Sequence, residues 1–352
     1  MEQKKQLEDL LAIVIKEGAS DLHISVGKKP TIRVSGMLIG LEKENILKES
    51  DTLSLMSALL DEEQKKEFLK NKEIDFSYSY SEMRFRCNCY FQKGTIAIAM
   101  RLIPKKIKTL QQLNLPEVLE SFAGRKQGFF LVVGPVGHGK TTTLASMIEI
   151  INETRAEHII TIEDPIEYLF EEKKSIIDQR EVKIDTADFQ TALKSMFRQD
   201  VNVVMIGEMR GTETISTAVT AAETGHLVLS TLHTNNASQT MDRIIDSFPS
   251  ESQVQIRTQL AGSLIGIFSQ RLIPRISGGV VPAYELLINN NAVSNLIREG
   301  RTHEIDSVIE TSSELGMVDM NRSLAELVRA GEITLDDARK YSTKIQNLEK
   351  LL

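Results

Sequence analysis

The sequence predicts an α/β fold with a parallel sheet, preceded by a smaller α+β domain. In the larger part, four continuous apolar runs alternate with segments of helical periodicity, which is the pattern of parallel strands joined by helices. These runs occupy residues 129–133, 158–162, 201–206 and 227–231. Before residue 127, helices, one of them expected over residues 52–71, instead mix with strands whose apolar and polar residues alternate, so we expect a separate small domain there.

Three segments follow from this change of pattern. We predict an N-terminal domain over residues 1–100, a linker over 101–116 and the α/β domain over 117–352. The linker carries two prolines and a run of lysines, which indicates a solvated connection. From about residue 292 onward the periodicity is mostly helical.

The last long strand pattern of the small domain has two distinct faces. Cys87 and Cys89 fall on its apolar face, whereas Arg84 and Arg86 fall on the other. We expect the cysteines to be small buried side chains, because a disulfide between them would close almost no loop.

The composition excludes several classes of protein. With 41% apolar and 26% charged residues, the chain is typical of a globular protein rather than a disordered one. The net charge of −7 and the absence of tryptophan argue against constitutive nucleic-acid binding, so no nucleic-acid partner is expected. Neither a signal peptide nor a long apolar run occurs, so a soluble, cytoplasmic protein is expected.

The strongest motif is GPVGHGKT at residues 134–141, which matches GxxxxGK[ST] at every fixed position. Its glycines let backbone N–H groups converge on phosphate oxygens. Lys140 is expected to reach the β- and γ-phosphates, and the Thr141 hydroxyl is expected to bind Mg²⁺. The predicted nucleotide-binding residues here are Gly134, Pro135, Val136, Gly137, His138, Gly139, Lys140, Thr141 and Thr142.

Two acidic residues directly follow predicted strands. They are Glu163 and Glu208, and Gly207 stands where such enzymes usually carry an aspartate. Because the carboxyl ends of parallel strands share one edge of a sheet, we expect both acids near the phosphate loop, where carboxylates orient water or support a metal. The alternative for each is a helix cap or a surface charge.

Two histidines flank the apolar run at 227–232. His226 precedes the run and His233 follows it, and either could sense the γ-phosphate or bridge subunits. The alternative is a satisfied core or capping residue, which is common for a histidine beside a strand. No third ligand is apparent, so the pair does not predict a metal site.

Four segments resemble the signature boxes of the secretion-superfamily ATPases. They are the phosphate loop (Walker A), residues 161–168 (Asp box), 207–210 (Walker B) and 224–235 (His box). Four further segments are similar to this superfamily. They lie at 18–24, 269–274, 296–304 and 321–327, and the last two resemble the PilT-type retraction ATPases of type IV pili. Extension and type II secretion ATPases share the core but typically carry a four-cysteine zinc motif, and this chain has two cysteines.

The resemblance implies a PAS-like N-terminal domain and a RecA-like ATPase domain that binds ATP and Mg²⁺ within a homohexamer. It implies that Glu208 is the catalytic glutamate, that Glu163 supports water or metal, and that His226 and His233 couple the nucleotide state to the ring. Thr141, Glu163 and Glu208 would hold Mg²⁺, partly through water. Arginines of the N-terminal domain would neutralise the γ-phosphate, and the candidates are Arg84, Arg86 and Arg101. Solvent-facing strand arginines are the alternative.

The implied function is a motor for pilus retraction and twitching motility. It would lie in the cytoplasm at the inner membrane and move the hydrophobic platform protein of the pilus machine. Two alternatives stay open. One is an accessory or paralogous pilus ATPase that tunes a partner motor, and the other is a protein or DNA secretion ATPase of the same superfamily.

Besides a mild change at Val293, the sequence departs from the family pattern at four positions. Val136 and His138 replace threonine and serine in the phosphate loop, Gly211 replaces an aspartate, and Ser294 replaces an arginine of the retraction branch. We expect His138 to alter the rate or the pH response, and Ser294 to bear on retraction more than on hydrolysis.

Overall fold

The computed structural model describes residues 2–34, 36–209 and 211–352, and the chain separates into two compact units. The N-terminal unit runs to Lys106 and includes Glu167–Leu169, and the C-terminal unit contains Ile107–Ile166 and Phe170–Leu352. Each unit has its own hydrophobic core. None of the described helices combines the length and apolarity needed to span a membrane.

The N-terminal unit is an antiparallel sheet with helices on one face. Its helices are α1 (Glu2–Lys16), α2 (Glu49–Leu59) and α3 (Glu62–Asn71), and its strands are β1 (Asp21–Ser25), β2 (Thr31–Val34), β3 (Met37–Gly40), β4 (Glu73–Tyr80), β5 (Met83–Gln92) and β6 (Thr95–Ile103). Within the described residues the strand order is β3-β2-β1-β6-β5-β4. Leu10, Phe68 and Phe85 are fully buried in its core. Cys87 and Cys89 are buried there as free thiols, as predicted.

Two boundaries in this unit differ from the sequence prediction. The helical stretch predicted from residue 52 to 71 is two helices, because Asp61 and Gln64 form a capping box that begins α3. Strand β6 continues to Ile103, three residues into the segment predicted as linker, because these residues still pair with β5.

The C-terminal unit is a mostly parallel sheet between helices. Its strands are β7 (Gly128–Val133), β8 (His158–Glu163), β9 (Ile176–Glu181), β10 (Val203–Ile206), β11 (Leu227–Leu232), β12 (Leu264–Pro274) and β13 (Val280–Ile288). Its helices are α4 (Val118–Ala123), α5 (Lys140–Thr154), α6 (Phe189–Met196), α7 (Thr212–Glu223), α8 (Ala237–Asp246), α9 (Ser250–Ser263), α10 (Asn291–Glu299), α11 (Ile305–Thr311), α12 (Met320–Arg329), α13 (Leu335–Tyr341) and α14 (Ile345–Leu351).

The strand order of this sheet is β13-β12-β7-β11-β10-β8-β9 across the residues described. All neighbours are parallel except β13, which pairs antiparallel with β12. The four apolar runs in the sequence are β7, β8, β10 and β11, and β7, β10 and β11 are buried along their whole length. The predicted α/β fold is therefore confirmed, and the sheet is wider than the four runs indicate.

Candidate functional site

The strand order brings four predicted positions to one edge of the central sheet. The phosphate loop follows β7, His233 follows β11, Glu208 follows β10 and Glu163 ends β8. Because β7, β11, β10 and β8 are parallel neighbours, their carboxyl ends meet at this edge. The expectation that both acids lie on the edge that carries the phosphate loop is met.

The phosphate loop is closed against the neighbouring strand β12. Gly134 has φ of 146°, and a Cβ there would lie 2.3 Å from the backbone oxygen of Gln270. Gly139 has φ of 80° and precedes the first residue of α5. At Gly134 only glycine accommodates both the positive φ and the close approach of the Gln270 backbone. The loop then leads into the N-terminus of α5, where backbone N–H groups and the helix dipole favour an anion.

Lys140 is folded over this loop. Its ammonium donates hydrogen bonds to the backbone oxygens of Gly134 and Pro135, both at 2.9 Å, and the residue is 7% exposed. Its Nζ also lies 3.1 Å from Nδ1 of His233. The ammonium is thus positioned at the mouth of the loop, between the ends of β7 and β11.

His233 links this lysine to an acid. A protonated lysine can only donate, so Nδ1 of His233 accepts and the ring proton resides on Nε2. Nε2 lies 3.5 Å from Oε1 of Glu208. Lys140, His233 and Glu208 therefore form a continuous polar chain along the edge, an arrangement that can report the charge of a bound phosphate to the acid.

The two acids occupy different environments. Glu163 is 3% exposed, and its Oε1 accepts from the Thr161 hydroxyl at 2.7 Å and from Nε2 of Gln179 at 3.3 Å. The Glu208 side chain is 26% exposed. Glu208 combines solvent access with proximity to His233, which suits it to orient a water molecule.

Gly207 allows β10 to end close to β8. Its N–H donates to the backbone oxygen of Ile162 at 2.8 Å, and a Cβ would touch that oxygen at 3.4 Å. Its own carbonyl oxygen accepts from the Thr231 hydroxyl at 2.6 Å. Glycine in place of the usual aspartate thus fits a crowded strand end, and Arg210, the last residue of this box, lies outside the described residues.

The structure does not bring His226 to the phosphate loop. His226 precedes β11 and His233 follows it, so the six residues of the strand separate them by about 20 Å. The His226 ring contacts the backbone oxygen of Ala221 at 3.0 Å and packs edge-on against Phe197. Within one chain, His226 is therefore not beside the phosphate loop as predicted, because β11 holds it at the opposite edge of the sheet.

The three candidate arginines lie in the N-terminal unit, on the sheet face away from its helices. Arg84 and Arg86 share that face of β5, as the alternation predicts, and Arg86 pairs in register with Arg101 on β6. Arg101 donates through Nε to Asp21 at 2.8 Å, and its side chain is 67% exposed. This pairing engages Nε of the guanidinium, while most of the side chain stays exposed.

Sequence reasoning missed Gln270 and Thr143. The Thr143 hydroxyl donates to Oε1 of Gln270 at 2.6 Å, and Nε2 of Gln270 donates to the backbone oxygen of His138 at 3.0 Å. The signal available was the resemblance of residues 269–274 to the secretion superfamily. That resemblance indicated no role for Gln270, because its contact with the phosphate loop depends on how β12 lies beside β7.

No metal site composed wholly of protein ligands forms within the part of the chain that the structure describes. Among the described residues no cluster of three or more histidine, cysteine or acidic side chains could hold an ion. Mg²⁺ uses few protein ligands and completes its coordination shell with phosphate oxygens and water. Thr141 in the first turn of α5, with the acids at the neighbouring strand ends, fits that requirement.

The sheet order, the phosphate loop and the acids at its edge define a P-loop ATPase. The family model for type II/IV secretion system proteins matches residues 3–339. The chain therefore belongs to the type II/IV secretion system protein family.

Two relatives and one solved structure extend this comparison. The chain is 42% identical to the type IV pilus retraction ATPase PilT of Pseudomonas aeruginosa, over 97% of this chain and 99% of that one. It is 38% identical to the type IV pilus ATPase PilU of the same organism, over 99% and 91%. The crystal structure of the pilus retraction motor PilT with bound ADP covers 97% of this chain and 98% of its own, at 44% identity and a TM-score of 0.91.

Proposed function

We propose that this protein is an ATP-hydrolysing motor that powers type IV pilus retraction and, through it, twitching motility. The observation that carries the proposal is the unbroken chain of Lys140, His233 and Glu208 beside the phosphate loop. The similarity to a pilus retraction ATPase over nearly the whole chain supports the particular task.

The residues divide the work of hydrolysis. The loop N–H groups and Lys140 bind the β- and γ-phosphates, and Thr141, Glu208 and Glu163 would hold Mg²⁺, partly through water. When bound there, Mg²⁺ would supply neutralisation of phosphate charge. Glu208 orients the attacking water, and His233 senses whether the γ-phosphate is present because it touches both Lys140 and Glu208.

The motor would work as a ring of six copies. In this proposal Arg84, Arg86 and Arg101 provide the positive charge that stabilises the departing phosphate, and Arg101 is preorganised by Asp21. The ring would lie in the cytoplasm, peripheral to the inner membrane, and would act on the platform protein of the pilus base.

The test is steady-state ATP hydrolysis by the purified full chain with and without Lys140→Ala. We expect turnover in the wild type and a loss of at least about a thousandfold in the variant, because the γ-phosphate loses its main cation. The matched control is Lys173→Ala, a partly exposed lysine that pairs with Glu149 and Glu153. Equal turnover in wild type and Lys140→Ala would overturn the ATPase mechanism.

The second candidate is an accessory subunit that tunes a partner motor, which the similarity to PilU over nearly the whole chain favours. The two candidates separate in a strain that lacks its retraction motor. A motor restores twitching alone, and an accessory subunit does so only together with a partner ATPase. Restoration that requires the partner would replace the first proposal with the second.

A further inference from the structure

The phosphate loop is held from outside by side-chain and backbone groups of β12. Nε2 of Gln270 donates to the backbone oxygen of His138, and the N–H of Leu272 donates to Nδ1 of the His138 ring at 2.9 Å. A Cβ on Gly139 would lie 3.0 Å from Gln270 and 3.5 Å from Leu272. His138 is thus bound to β12 through both its backbone and its side chain.

The hydrogen bond from Leu272 fixes the protonation state of the ring. A backbone N–H can only donate, so Nδ1 of His138 must accept, and the ring is the neutral tautomer with its proton on Nε2. The charged and titratable groups in its surroundings are Arg271 on β12, Lys140 on α5 and Tyr341 on α13. Burial, with the positive charges of Arg271 and Lys140, lowers the pKa of His138.

The ring lies on the side of the loop away from Lys140 Nζ. Strands β12 and β11 flank β7 on opposite sides. The His138 ring is bound to β12, whereas the ammonium of Lys140 reaches His233 after β11. The imidazole therefore contributes to the shape of the loop rather than to the set of phosphate ligands.

We propose that His138 is a positioning residue of the phosphate loop, whose neutral imidazole fixes the loop against β12 and makes nucleotide affinity fall on acidification. The inference rests on the proposed nucleotide-binding function. Protonation places an N–H at Nδ1 against the N–H of Leu272, so the acceptor is lost and the two donors oppose each other. The loop then leaves β12, and its backbone N–H groups lose their common direction.

The sign of the effect separates this role from a direct one. If the ring acted on the phosphates through its charge, the imidazolium would attract them and acidification would tighten binding. As a positioning residue, the ring weakens binding when it is protonated. Because the pKa of His138 is lowered, the change is expected below about pH 6.5.

The experiment measures the Kd of a fluorescent ADP analogue for the full chain between about pH 8 and about pH 5. Wild type is compared with His138→Asn, whose side-chain oxygen can accept from Leu272 without titrating, and with His138→Ala, which cannot accept. The ratio of wild-type to His138→Asn Kd cancels the titration of the nucleotide and of groups that both proteins share. Circular dichroism at each pH checks that all three proteins stay folded.

We expect this ratio to rise about three- to tenfold on acidification. His138→Ala is expected to bind weakly at pH 8 with no comparable further loss, and His138→Asn to recover part of that affinity. A constant ratio, or a wild type that binds more tightly at low pH, would overturn the positioning role. Failure of the proposed function is recognised separately, because Lys140→Ala would then hydrolyse ATP as well as the wild type.

Discussion

In the C-terminal unit the candidate catalytic groups stand at the ends of buried strands, whereas in the N-terminal unit the candidate arginines stand on an open sheet face. Lys140, Glu163 and Glu208 owe their positions to strand order. Arg86 and Arg101 owe theirs to the register of two paired strands. Groups at strand ends cannot be moved without altering the core, but groups on a face can be exchanged one at a time, so the two sets should respond differently to substitution.

The sharpest test of the strand-end set compares its two acids. Glu208→Gln should lower kcat by about 100- to 1,000-fold, because the amide cannot orient or deprotonate water, with little change in KM. Glu163→Gln should lower kcat by a smaller factor, since Glu163 is buried against Thr161 and Gln179. Steady-state kinetics of both variants measure this difference, and a larger loss of kcat in Glu163→Gln would reverse the roles of the two acids.

Glu285 on β13 is a buried acid within the sheet of the C-terminal unit, so its ionisation shows how well this sheet tolerates charge. Glu285 is 6% exposed and accepts from the N–H of Ala237 at 2.8 Å. Burial raises its pKa to about 7 from the ordinary 4.5, so its stabilising contribution is complete below about pH 4.5 and is lost as the pH rises through 7.

Glu285→Gln should therefore raise the free energy of unfolding at pH 8 by about 2 kcal/mol and change it little near pH 4.5. Denaturant unfolding at the two pH values measures this. Glu251→Gln, at an exposed glutamate in the first turn of α9, serves as the control and should show no such pH-dependent difference. A gain of equal size at both pH values would show that packing, not ionisation, is the cause.

On the open face, Arg101 should matter more than Arg86. Its Nε is fixed by Asp21, so its two terminal nitrogens are preorganised to bind phosphate. We expect Arg101→Ala to lower kcat at least about tenfold and Asp21→Asn to lower it a few-fold. The free energy of unfolding should fall by no more than about 1 kcal/mol in either variant. Arg86→Ala is the matched comparison, and a larger kcat loss there would identify Arg86 as the phosphate-facing arginine.

The smallest effect concerns Ser294, which departs from the retraction branch. It is 8% exposed, and its hydroxyl donates to the backbone oxygen of Ala261 at 2.8 Å, so it joins α10 to α9. Ser294→Ala should cost about 1 kcal/mol of unfolding free energy without changing ATP hydrolysis. Asn295→Ala, on the exposed side of α10, is the control, and an equal cost for both would refute this assignment.

The sequence was sufficient where one residue pattern determined one structural property. Continuous apolar runs predicted β7, β8, β10 and β11, and their ends located Glu163, Glu208 and His233. It could not distinguish the positions of His226 and His233, because a histidine on either side of a strand looks equivalent in sequence, although the strand separates the two by about 20 Å. It also could not assign Gln270, since that contact depends on which strand neighbours β7.

The position of β12 has a mechanical consequence. Gln270 and Leu272 bind the phosphate loop, and Arg271 between them donates to the backbone oxygen of Tyr341 at the end of α13 at 2.8 Å. The nucleotide pocket and the C-terminal helices therefore share a single strand as their common wall. A displacement of α13 would therefore reach the phosphate loop through the backbone of β12.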